Sequence, residues 1–252
     1  MRKDERIRGI GELLRETEYA SVDFLAEKLG VSAATIRRDL KELADQGSLR
    51  RTHGGAVLGG PSYEIPVRYR QRERAEEKRR IGQAAAALVG DGMIIGMTGG
   101  TTTSEVARAM PLRTSFTVVT NAVNIATTLA PRPNVRVVVT GGVARSASFE
   151  LAGPIAESTL SRYHLDVVFL GVDGIDAAAG CTTHDDTEAM TNEIMTRQAE
   201  RVIVVADSSK IGRRAFARIC RVEDVGLLIT DTSADDSAVA VLESKDVKVE
   251  RV

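Results

Sequence analysis

Residues 21 to 57, which read SVDFLAEKLGVSAATIRRDLKELADQGSLRRTHGGAV, decide the fold of the N-terminal part of the chain. Ser21 is a predicted N-cap of a short helix, and Gly30 provides the left-handed conformation that commonly ends one. Ser32 is the predicted N-cap of the next helix, which we expect to end near Gly47. The apolar faces of these helices are formed by Val22, Leu25 and Leu29 and by Ile36, Leu40 and Leu43. Two capped helices joined by a tight glycine turn predict a helix-turn-helix.

The sequence on either side extends this unit. Over residues 6 to 14, an apolar stripe at helical spacing predicts a preceding amphipathic helix. The stripe is formed by Ile7, Ile10, Leu13 and Leu14. Residues 48 to 57 predict two short extended pieces around a basic, glycine-containing tip, which we interpret as a wing. We therefore predict a winged helix-turn-helix DNA-binding domain over residues 1 to 58.

The second helix of the motif has the chemistry of a DNA recognition helix. Such a helix needs small or polar residues in its first turn to enter the major groove, and positive charge to meet phosphates. The stretch that supplies both is Ser32-Ala33-Ala34-Thr35-Ile36-Arg37-Arg38. Arg37 or Arg38 could reach a guanine or a phosphate. The alternative is a surface helix on which both arginines pair with Asp39 or Glu42.

Composition changes between residues 59 and 80. A Gly-Gly-Pro stretch is followed by RYRQRERAEEKRR, in which seven basic residues outnumber three glutamates. We place a linker over residues 59 to 74 and a second domain over residues 75 to 252. The charge run is interpreted as the solvated start of a helix, with direct contact to DNA phosphates as the alternative.

The second domain alternates short apolar runs with segments of helix length. The runs are MIIGM, FTVVT, VRVVVT, DVVFLG, RVIVVA and VGLLIT, and the helical stretches include residues 77 to 89 and 186 to 200. Strands without polar alternation, separated by helices, are typical of a mainly parallel sheet that is buried on both faces. The predicted fold class is therefore α/β, with an N-terminal winged helix-turn-helix followed by a larger α/β domain.

Polar or glycine-rich segments follow five of these strands. One of them, residues 96 to 104, joins a strand to a helix, where free N–H groups and the helix dipole favour an anion; a merely tight turn is the alternative. In a parallel sheet all five segments lie at one edge, where ligands bind. The candidate effector-binding residues are Gly99, Gly100, Thr101, Thr102, Thr103, Thr120, Asn121, Gly141, Gly142, Asp173, Gly174, Glu188 and Lys210.

These residue types suit a phosphorylated sugar. Thr101, Thr102, Thr103 and Lys210 suit a phosphate. Asn121, Asp173 and Glu188 suit sugar hydroxyl groups. The alternative for Lys210 is a surface cation near a helix start, and for Asp173 a turn residue that caps the next segment.

Composition limits the other classes of protein. Lys plus Arg (34) nearly balance Asp plus Glu (35), so a DNA-binding surface must be local. Cys181 and Cys220 lie far apart in the sequence without a further ligand at metal spacing, which argues against a zinc site or a disulfide framework. We predict no metal and no cofactor. The N-terminus is charged and no apolar run approaches the roughly 20 residues of a membrane span, so we expect a soluble, cytoplasmic protein without a membrane partner.

Residues 21 to 57 resemble the N-terminal signature of the DeoR family of bacterial repressors almost position by position. The elements T-I-R-R-D-L and R-T-H-G-G-A carry this resemblance. The resemblance places DNA contacts on the recognition helix and on the wing, and it implies a homodimer or a higher homo-oligomer that reads repeated half-sites. The candidate DNA-binding residues are Ser32, Ala33, Thr35, Arg37, Arg38, Arg51, Thr52 and His53.

The resemblance continues through G-G-T-T-T, V-V-T-N, V-T-G-G, G-V-D-G-I-D and A-D-S-S-K and so covers essentially the whole chain. The sensor domain of this family looks like ribose-5-phosphate isomerase and related sugar-phosphate enzymes. The chain departs from the pattern in one place, because many relatives carry Asp-Ser-Gly-Thr-Thr where it has Thr98-Gly99-Gly100-Thr101-Thr102. The missing aspartate argues against inferring the particular ligand of this chain from those relatives.

Together these features predict a repressor of a sugar or carbohydrate metabolism operon. It would bind operator double-stranded DNA and release it when a phosphorylated sugar binds. An alternative is a sugar-phosphate isomerase fused to a DNA-binding module, because Asp173-Gly174-Ile175-Asp176 echoes the isomerase Asp-Gly-Ala-Asp element. The sequence after Lys210 offers no evident counterpart of the isomerase catalytic glutamate, so we expect no enzyme activity and name no catalytic residue. A nonspecific architectural DNA binder would be strongly basic, which this chain is not.

Overall fold

The computed structural model describes residues 1–17, 19–45, 49–58 and 65–252. The chain divides into two compact units, Met1–Glu73 and Arg74–Val252. Each unit has its own buried apolar core. In the described ranges no helix is long and apolar enough to cross a membrane.

The first unit is a winged helix-turn-helix. Its helices are α1 (Lys3–Thr17), α2 (Val22–Leu29), α3 (Ala33–Asp45) and α4 (Val67–Arg70), and its strands are β1 (Tyr19–Ser21), β2 (Leu49–Thr52) and β3 (Gly55–Leu58). Ser21 Oγ accepts a hydrogen bond from the Phe24 N–H at 3.1 Å, and Gly30 ends α2 with a φ of 64°. The three strands form an antiparallel sheet in the order β1-β3-β2. The predicted motif is confirmed, although the expected end of α3 near Gly47 lies outside the described residues.

The core of this unit is made by the apolar faces of the first three helices. Ile7 and Ile10 of α1 and Ile36 of α3 are completely buried. Full burial of such a side chain contributes about 1.5 to 3 kcal/mol to folding. The spacing that predicted the helices therefore also predicted which face of each helix is buried.

The predicted linker contains residues that pack on this core. Ile65, and Tyr69 of α4, join the apolar cluster of the first unit. Residues 59–64 of the same linker lie outside the described residues. The two compact units divide between Glu73 and Arg74, and our domain boundaries at residues 58, 59 and 75 stay a prediction.

The second unit is built on a seven-stranded sheet. Its α-helices are α5 (Ala75–Ala86), α6 (Thr101–Ala109), α7 (Val123–Leu129), α8 (Pro154–Leu160), α9 (Asp186–Arg197) and α10 (Asp236–Glu243), and short 3-10 helices span Ser208–Lys210 and Val222–Asp224. Its strands are β4 (Ile94–Met97), β5 (Phe116–Thr120), β6 (Val135–Val139), β7 (Val143–Ala144), β8 (Leu151–Ala152), β9 (Val167–Leu170), β10 (Gly174–Asp176), β11 (Gly180–Thr183), β12 (Val202–Val205), β13 (Ala217–Cys220), β14 (Leu227–Thr230) and β15 (Lys248–Arg251).

The main sheet is entirely parallel, in the order β15-β14-β12-β9-β4-β5-β6. Each of the six apolar runs forms one of its strands, so the predicted fold class is confirmed. Along β9, Val168 and Leu170 belong to one apolar cluster, whereas Val167 and Phe169 belong to the other. Because successive side chains of a strand point to opposite faces, this alternation shows that both faces of the sheet are covered.

Two smaller sheets lie outside the main one. β7 and β8 form an antiparallel hairpin, and β10, β11 and β13 form an antiparallel three-stranded sheet. In the latter, Cys181 of β11 pairs directly with Cys220 of β13, and both are free and buried. The sequence could not predict that the two cysteines are neighbours, because α9 and β12 lie between the two strands in the chain.

Candidate functional site

The exposed face of α3 carries residues predicted to bind DNA. Ser32 stands just before the helix, and its Oγ accepts a hydrogen bond from the Thr35 N–H at 3.2 Å. Of the predicted residues here, Ser32, Arg37 and Arg38 are exposed, and Ala33 and Thr35 are half-buried. Ile36 is completely buried on the opposite face, so the packing of α3 turns this polar set outward.

The acidic neighbours of Arg37 and Arg38 have other partners. Asp39 is only 2% exposed and accepts a hydrogen bond from Arg6 Nη2 at 3.1 Å. Glu42 accepts one from Lys3 Nζ at 2.6 Å, and this bond lowers the pKa of Glu42. Within the described part of the chain the two exposed arginines form no ion pair. The alternative that they pair with Asp39 or Glu42 therefore does not hold, and their charges are available to DNA.

The wing is the hairpin of β2 and β3. Its predicted contact residues Arg51, Thr52 and His53 are all exposed. Gly54 adopts a φ of 86° in the turn, a conformation that strongly favours glycine. A Cβ on Gly55 would lie 2.4 Å from the carbonyl oxygen of Ala20, so glycine allows β1 to lie close against the wing.

The predicted effector residues other than Glu188, which lies on α9, follow the strand ends of the main sheet. Because its strands are parallel, the segments after β4, β5, β6, β9 and β12 all lie at one edge, the one formed by the carboxyl ends of the strands. Thr98 joins the segments after β4 and β9, since its Oγ1 accepts a hydrogen bond from the Gly171 N–H at 2.9 Å. The sheet topology therefore gathers residues that are widely separated in the sequence.

The start of α6 offers backbone donors at this edge. No side chain caps the helix, and Gly100 before it has a φ of 127°. The Gly100 carbonyl accepts hydrogen bonds from Thr103 Oγ1 at 3.1 Å and Ser104 Oγ at 2.6 Å. Thr102 and Thr103 are buried, whereas Thr101 is half-buried. The N–H groups of the first turn, more than the threonine hydroxyls, are thus the donors available to an anion.

Three predicted residues come together beside β11. Lys210 Nζ lies 3.5 Å from Asp173 Oδ1. Thr183 Oγ1 lies 3.1 Å from Asp173 Oδ2 and 3.0 Å from Glu188 Oε1, so one hydroxyl links both carboxylates. Arg145 forms an ion pair with Glu188. We call Arg145, Asp173, Thr183, Glu188 and Lys210 the effector cluster; its mixture of cations and carboxylates suits a ligand with both an anionic group and hydroxyls.

A second group of buried polar residues lies against Gly99. Asn121 Nδ2 donates to Asn192 Oδ1 at 3.0 Å, and Asn192 Nδ2 donates to Glu150 Oε2 at 3.2 Å. Asn121 Oδ1 is buried without a hydrogen-bond partner among the described residues. A Cβ on Gly99 would lie 2.4 Å from Glu150 Oε1, so the glycine makes room for the carboxylate. A carboxylate there disfavours an anion at Gly99 itself and points to the N–H groups of Thr101–Thr103 instead.

Other predicted residues have roles within the fold. The buried Thr120 donates its hydroxyl to a backbone carbonyl of β4 at 2.7 Å. A Cβ on Gly142 would lie 2.8 Å from a backbone oxygen of β8, and one on Gly174 would lie 2.3 Å from the carbonyl oxygen of Arg213. Gly141 has a φ of 73°. Close backbone packing and turn geometry account for the three glycines, and a hydrogen bond within the sheet accounts for Thr120.

Sequence reasoning missed several polar residues at this edge. They are Arg145, Glu150, Thr183 and Asn192, which follow none of the main-sheet strands, together with Arg74 and Asp231. Arg74 donates to Ser208 Oγ at 2.8 Å and lies 3.9 Å from Asp231 Oδ1. Burial alone would raise the pKa of Asp231, but hydrogen bonds, first from the Ser208 N–H, and the Arg74 charge lower it. Of these six residues, only Asp231 could have been placed at this edge from the sequence, because it directly follows the apolar run that forms β14.

The described residues contain no group of three or more His, Cys, Asp or Glu side chains that could hold a metal ion. The groups described at the edge are backbone N–H groups, amides, hydroxyls, carboxylates and the cations Arg74, Arg145 and Lys210.

Two family models match the chain. The model described as the DeoR-like helix-turn-helix domain matches residues 6–60, and the model described as the DeoR C terminal sensor domain matches residues 73–232. The first covers the wing and recognition helix, and the second covers the sheet edge with the effector cluster.

Curated relatives match over nearly the whole length. The chain is 39% identical to the HTH-type transcriptional regulator GlpR of Haloferax volcanii over 97% of this chain and 96% of that protein. It is 33% identical to the glycerol-3-phosphate regulon repressor of Escherichia coli K12 over 99% of both chains. Among solved structures, ribose 5-phosphate isomerase A of Methanocaldococcus jannaschii matches 55% of both chains with 18% identity and a TM-score of 0.42.

The full-length relatives are named as regulators or repressors of transcription, and the two family models account for both units of the chain. The chain is therefore a DNA-binding transcriptional regulator rather than an enzyme, and it belongs to the DeoR family.

Proposed function

We propose that this protein is a cytoplasmic repressor of a sugar or carbohydrate metabolism operon, and that a phosphorylated sugar bound in its second unit relieves repression. The observation that carries the proposal is the effector cluster. It places Lys210 3.5 Å from Asp173, and one hydroxyl joins Asp173 to Glu188. An uncapped helix start stands at the same sheet edge to receive an anion.

The relatives support this ligand class. One of them is named for the glycerol-3-phosphate regulon, and glycerol 3-phosphate is itself a phosphorylated polyol. The candidate residues divide in the same way. The N–H groups at the start of α6 and Lys210 would take the phosphate, whereas Asn121, Asp173 and Glu188 would take the hydroxyls.

Operator DNA is the proposed partner of the first unit. The exposed residues Arg37 and Arg38 would contact base edges or phosphates in the major groove, and Arg51 and His53 on the wing would contact the backbone. The protein would act as a homodimer or a higher homo-oligomer, because operators with repeated half-sites match a symmetric protein. Exposed apolar side chains support self-association, since Val143 is 73% and Ile155 is 64% exposed.

Relief of repression requires that the effector bind more tightly to the state of the protein that cannot contact the repeated half-sites of the operator. A ligand shifts such an equilibrium only by its difference in affinity for the two states. A hundredfold loss of operator affinity therefore needs about 2.7 kcal/mol of differential binding.

A thermal-shift screen with a panel of sugar phosphates tests the proposal. A ligand at about 100 times its Kd stabilises the protein by about 2.7 kcal/mol, which raises Tm measurably. We expect one phosphorylated sugar to raise Tm and its unphosphorylated form to leave Tm unchanged. Absence of any shift across the panel would contradict the proposed ligand class.

A pair of lysine variants locates the site. Lys210→Ala should lower the affinity for the active sugar phosphate and leave operator binding nearly unchanged. Lys245→Ala removes an exposed lysine beyond α10 and serves as the matched control. Equal affinities for the two variants would show that the phosphate does not bind at Lys210.

A further inference from the structure

Cys181 and Cys220 are neighbours in the small antiparallel sheet. They are register partners across β11 and β13, and they are 0% and 8% exposed. Directly opposed residues in antiparallel strands have Cα atoms about 4.5 to 5.5 Å apart. That spacing falls within the range of about 4.4 to 6.8 Å that a disulfide spans. The backbone register of the two strands is thus one that a disulfide can bridge.

Two further contacts show that the strands are close at this point. A Cβ on Gly180, the residue before Cys181, would lie 2.2 Å from the carbonyl oxygen of Cys220. A hydrogen bond between the two thiols, together with burial, raises the pKa of Cys181 well above its ordinary value. The register shifts between Cys181 and Thr182, and such an irregularity allows a local adjustment of the strand.

We propose that Cys181 and Cys220 form a redox-sensitive modification site, at which a peroxide converts the two thiols into an intrachain disulfide. Neither cysteine belongs to the effector cluster or to the DNA-binding surface, so this site is separate from the proposed function. The strand that would be cross-linked also carries Thr183, whose hydroxyl links the two carboxylates of the effector cluster.

The reaction balances with hydrogen peroxide as the oxidant. Cys220, the more exposed of the two, loses its thiol proton and attacks one peroxide oxygen as its thiolate, which breaks the O–O bond and gives a sulfenic acid. The other oxygen leaves as hydroxide, which takes up one proton and becomes water. The Cys181 sulfur then attacks the Cys220 sulfur, which expels its oxygen as a second water. The two sulfurs together lose two electrons and two protons, and the peroxide is reduced to two waters.

Intact mass spectrometry of the full-length protein tests the site. The reduced, folded protein is treated with hydrogen peroxide, alkylated with N-ethylmaleimide and then mapped by peptide. We expect the loss of two hydrogen atoms and of both alkylation sites, a cross-linked peptide pair with Cys181 and Cys220, and full recovery with dithiothreitol. The gel mobility without reductant should stay that of a single chain.

Variants and unfolding provide the controls. Cys181→Ser and Cys220→Ser should each abolish the loss of hydrogen, and the remaining cysteine should gain oxygen or stay alkylatable. Oxidation of the wild-type chain in urea, where the strands no longer hold the two cysteines opposite each other, should give a smaller fraction of the intrachain disulfide than oxidation of the folded chain. The proposal is overturned if the folded protein keeps both thiols alkylatable, if the disulfide links two chains, or if the fraction of intrachain disulfide is as high in urea as in the folded chain. The wild-type comparison holds even where a serine variant fails to fold.

Discussion

Arg38 tests the DNA-binding surface at a single residue. It is exposed on α3 and pairs with neither Asp39 nor Glu42, so its charge has no structural duty among the described residues. We expect Arg38→Ala to weaken operator binding by about 1 to 3 kcal/mol, or roughly 5- to 150-fold, because a good arginine contact to a base supplies that much. The measurement is a titration of the operator by fluorescence anisotropy at fixed salt.

Arg113→Ala is the matched control for Arg38→Ala, since Arg113 is an exposed arginine in the second unit. Its operator affinity should equal that of the wild type. Effector affinity should be unchanged in both variants. Equal operator affinity of Arg38→Ala and the wild type would remove Arg38 from the DNA-binding residues.

The lowered pKa of Asp231 predicts that the stability of the second unit depends on pH. Its pKa in the fold is lowered, so the ionised carboxylate stabilises the native state at pH values above the unfolded pKa of about 3.9. That stabilisation is lost as pH falls through the folded pKa. We expect Asp231→Asn to have a lower Tm at neutral pH and a smaller further loss below about pH 4 than the wild type.

The pH experiment compares Tm across the acid range for three proteins. Glu200→Gln changes an exposed carboxylate outside the edge and is the control. If the curves of Asp231→Asn and the wild type run parallel from neutral to acid pH, the hydrogen bonds to Asp231 do not stabilise the fold in the way inferred.

The role of a residue could be predicted from the sequence where it depends on neighbouring residues. It could not be predicted where it depends on residues that the fold brings together. Ser21 and Gly30 could be assigned from the sequence because a cap depends on neighbouring residues. Thr183 could not, because its role depends on Asp173 and Glu188, which two other segments bring to it. A hydroxyl inside a short strand gives no signal of such a role.

Among the elements, the start of α6 is where a small change should affect both stability and the effector site. A Cβ on Gly99 would lie 2.4 Å from Oε1 and 2.5 Å from Cγ of the buried Glu150. Gly99→Ala must therefore displace Glu150 and the hydrogen bonds that it receives from the two asparagines. We expect a loss of about 1 to 3 kcal/mol in stability from overpacking, and a loss of effector affinity of about tenfold or more.

Gly90→Ala is the matched control for Gly99→Ala. A Cβ at Gly90 would meet Met93 Sδ at an ordinary 3.5 Å. Calorimetry should give this variant the effector affinity of the wild type. Wild-type affinity in Gly99→Ala as well would show that the segment after β4 does not shape the effector site.

The strands divide into those that the sequence could predict and those that it could not. Five of the six apolar runs became interior strands of the main sheet, because a strand buried on both faces needs apolar side chains at every position. The sixth run, VRVVVT, became the edge strand β6. β15 is the edge strand at the other end of this sheet and is largely exposed. β10, β11 and β13 have only three or four residues each and mix polar with apolar side chains. β11 and β13 pair only because the chain returns to β11 after β12. No local sequence pattern predicts that pairing.

At the scale of the whole molecule, self-association is tested on the apolar surface around α8. Ile155 is 64% exposed on this helix. We expect Ile155→Asp to shift the sedimenting species to a smaller assembly and to lower operator affinity, because a charge in an apolar contact is costly to bury. Leu112→Asp is the control, since Leu112 is 74% exposed outside this helix. An unchanged sedimentation coefficient in Ile155→Asp would place the contact elsewhere.

The coupling between the two units is the last prediction, and thermodynamics fixes its form. If the sugar phosphate lowers the affinity of the protein for its operator by a given factor, operator DNA must lower the affinity for the sugar phosphate by the same factor. For roughly a hundredfold effect, that factor corresponds to about 2.7 kcal/mol. The measurement is the Kd of the sugar phosphate by calorimetry, first with the free protein and then with protein saturated by an operator fragment; a fragment of random sequence is the control. Equal Kd values in the presence and absence of operator would mean that the ligand does not distinguish the two states, and the sugar phosphate could then not relieve repression however tightly it binds.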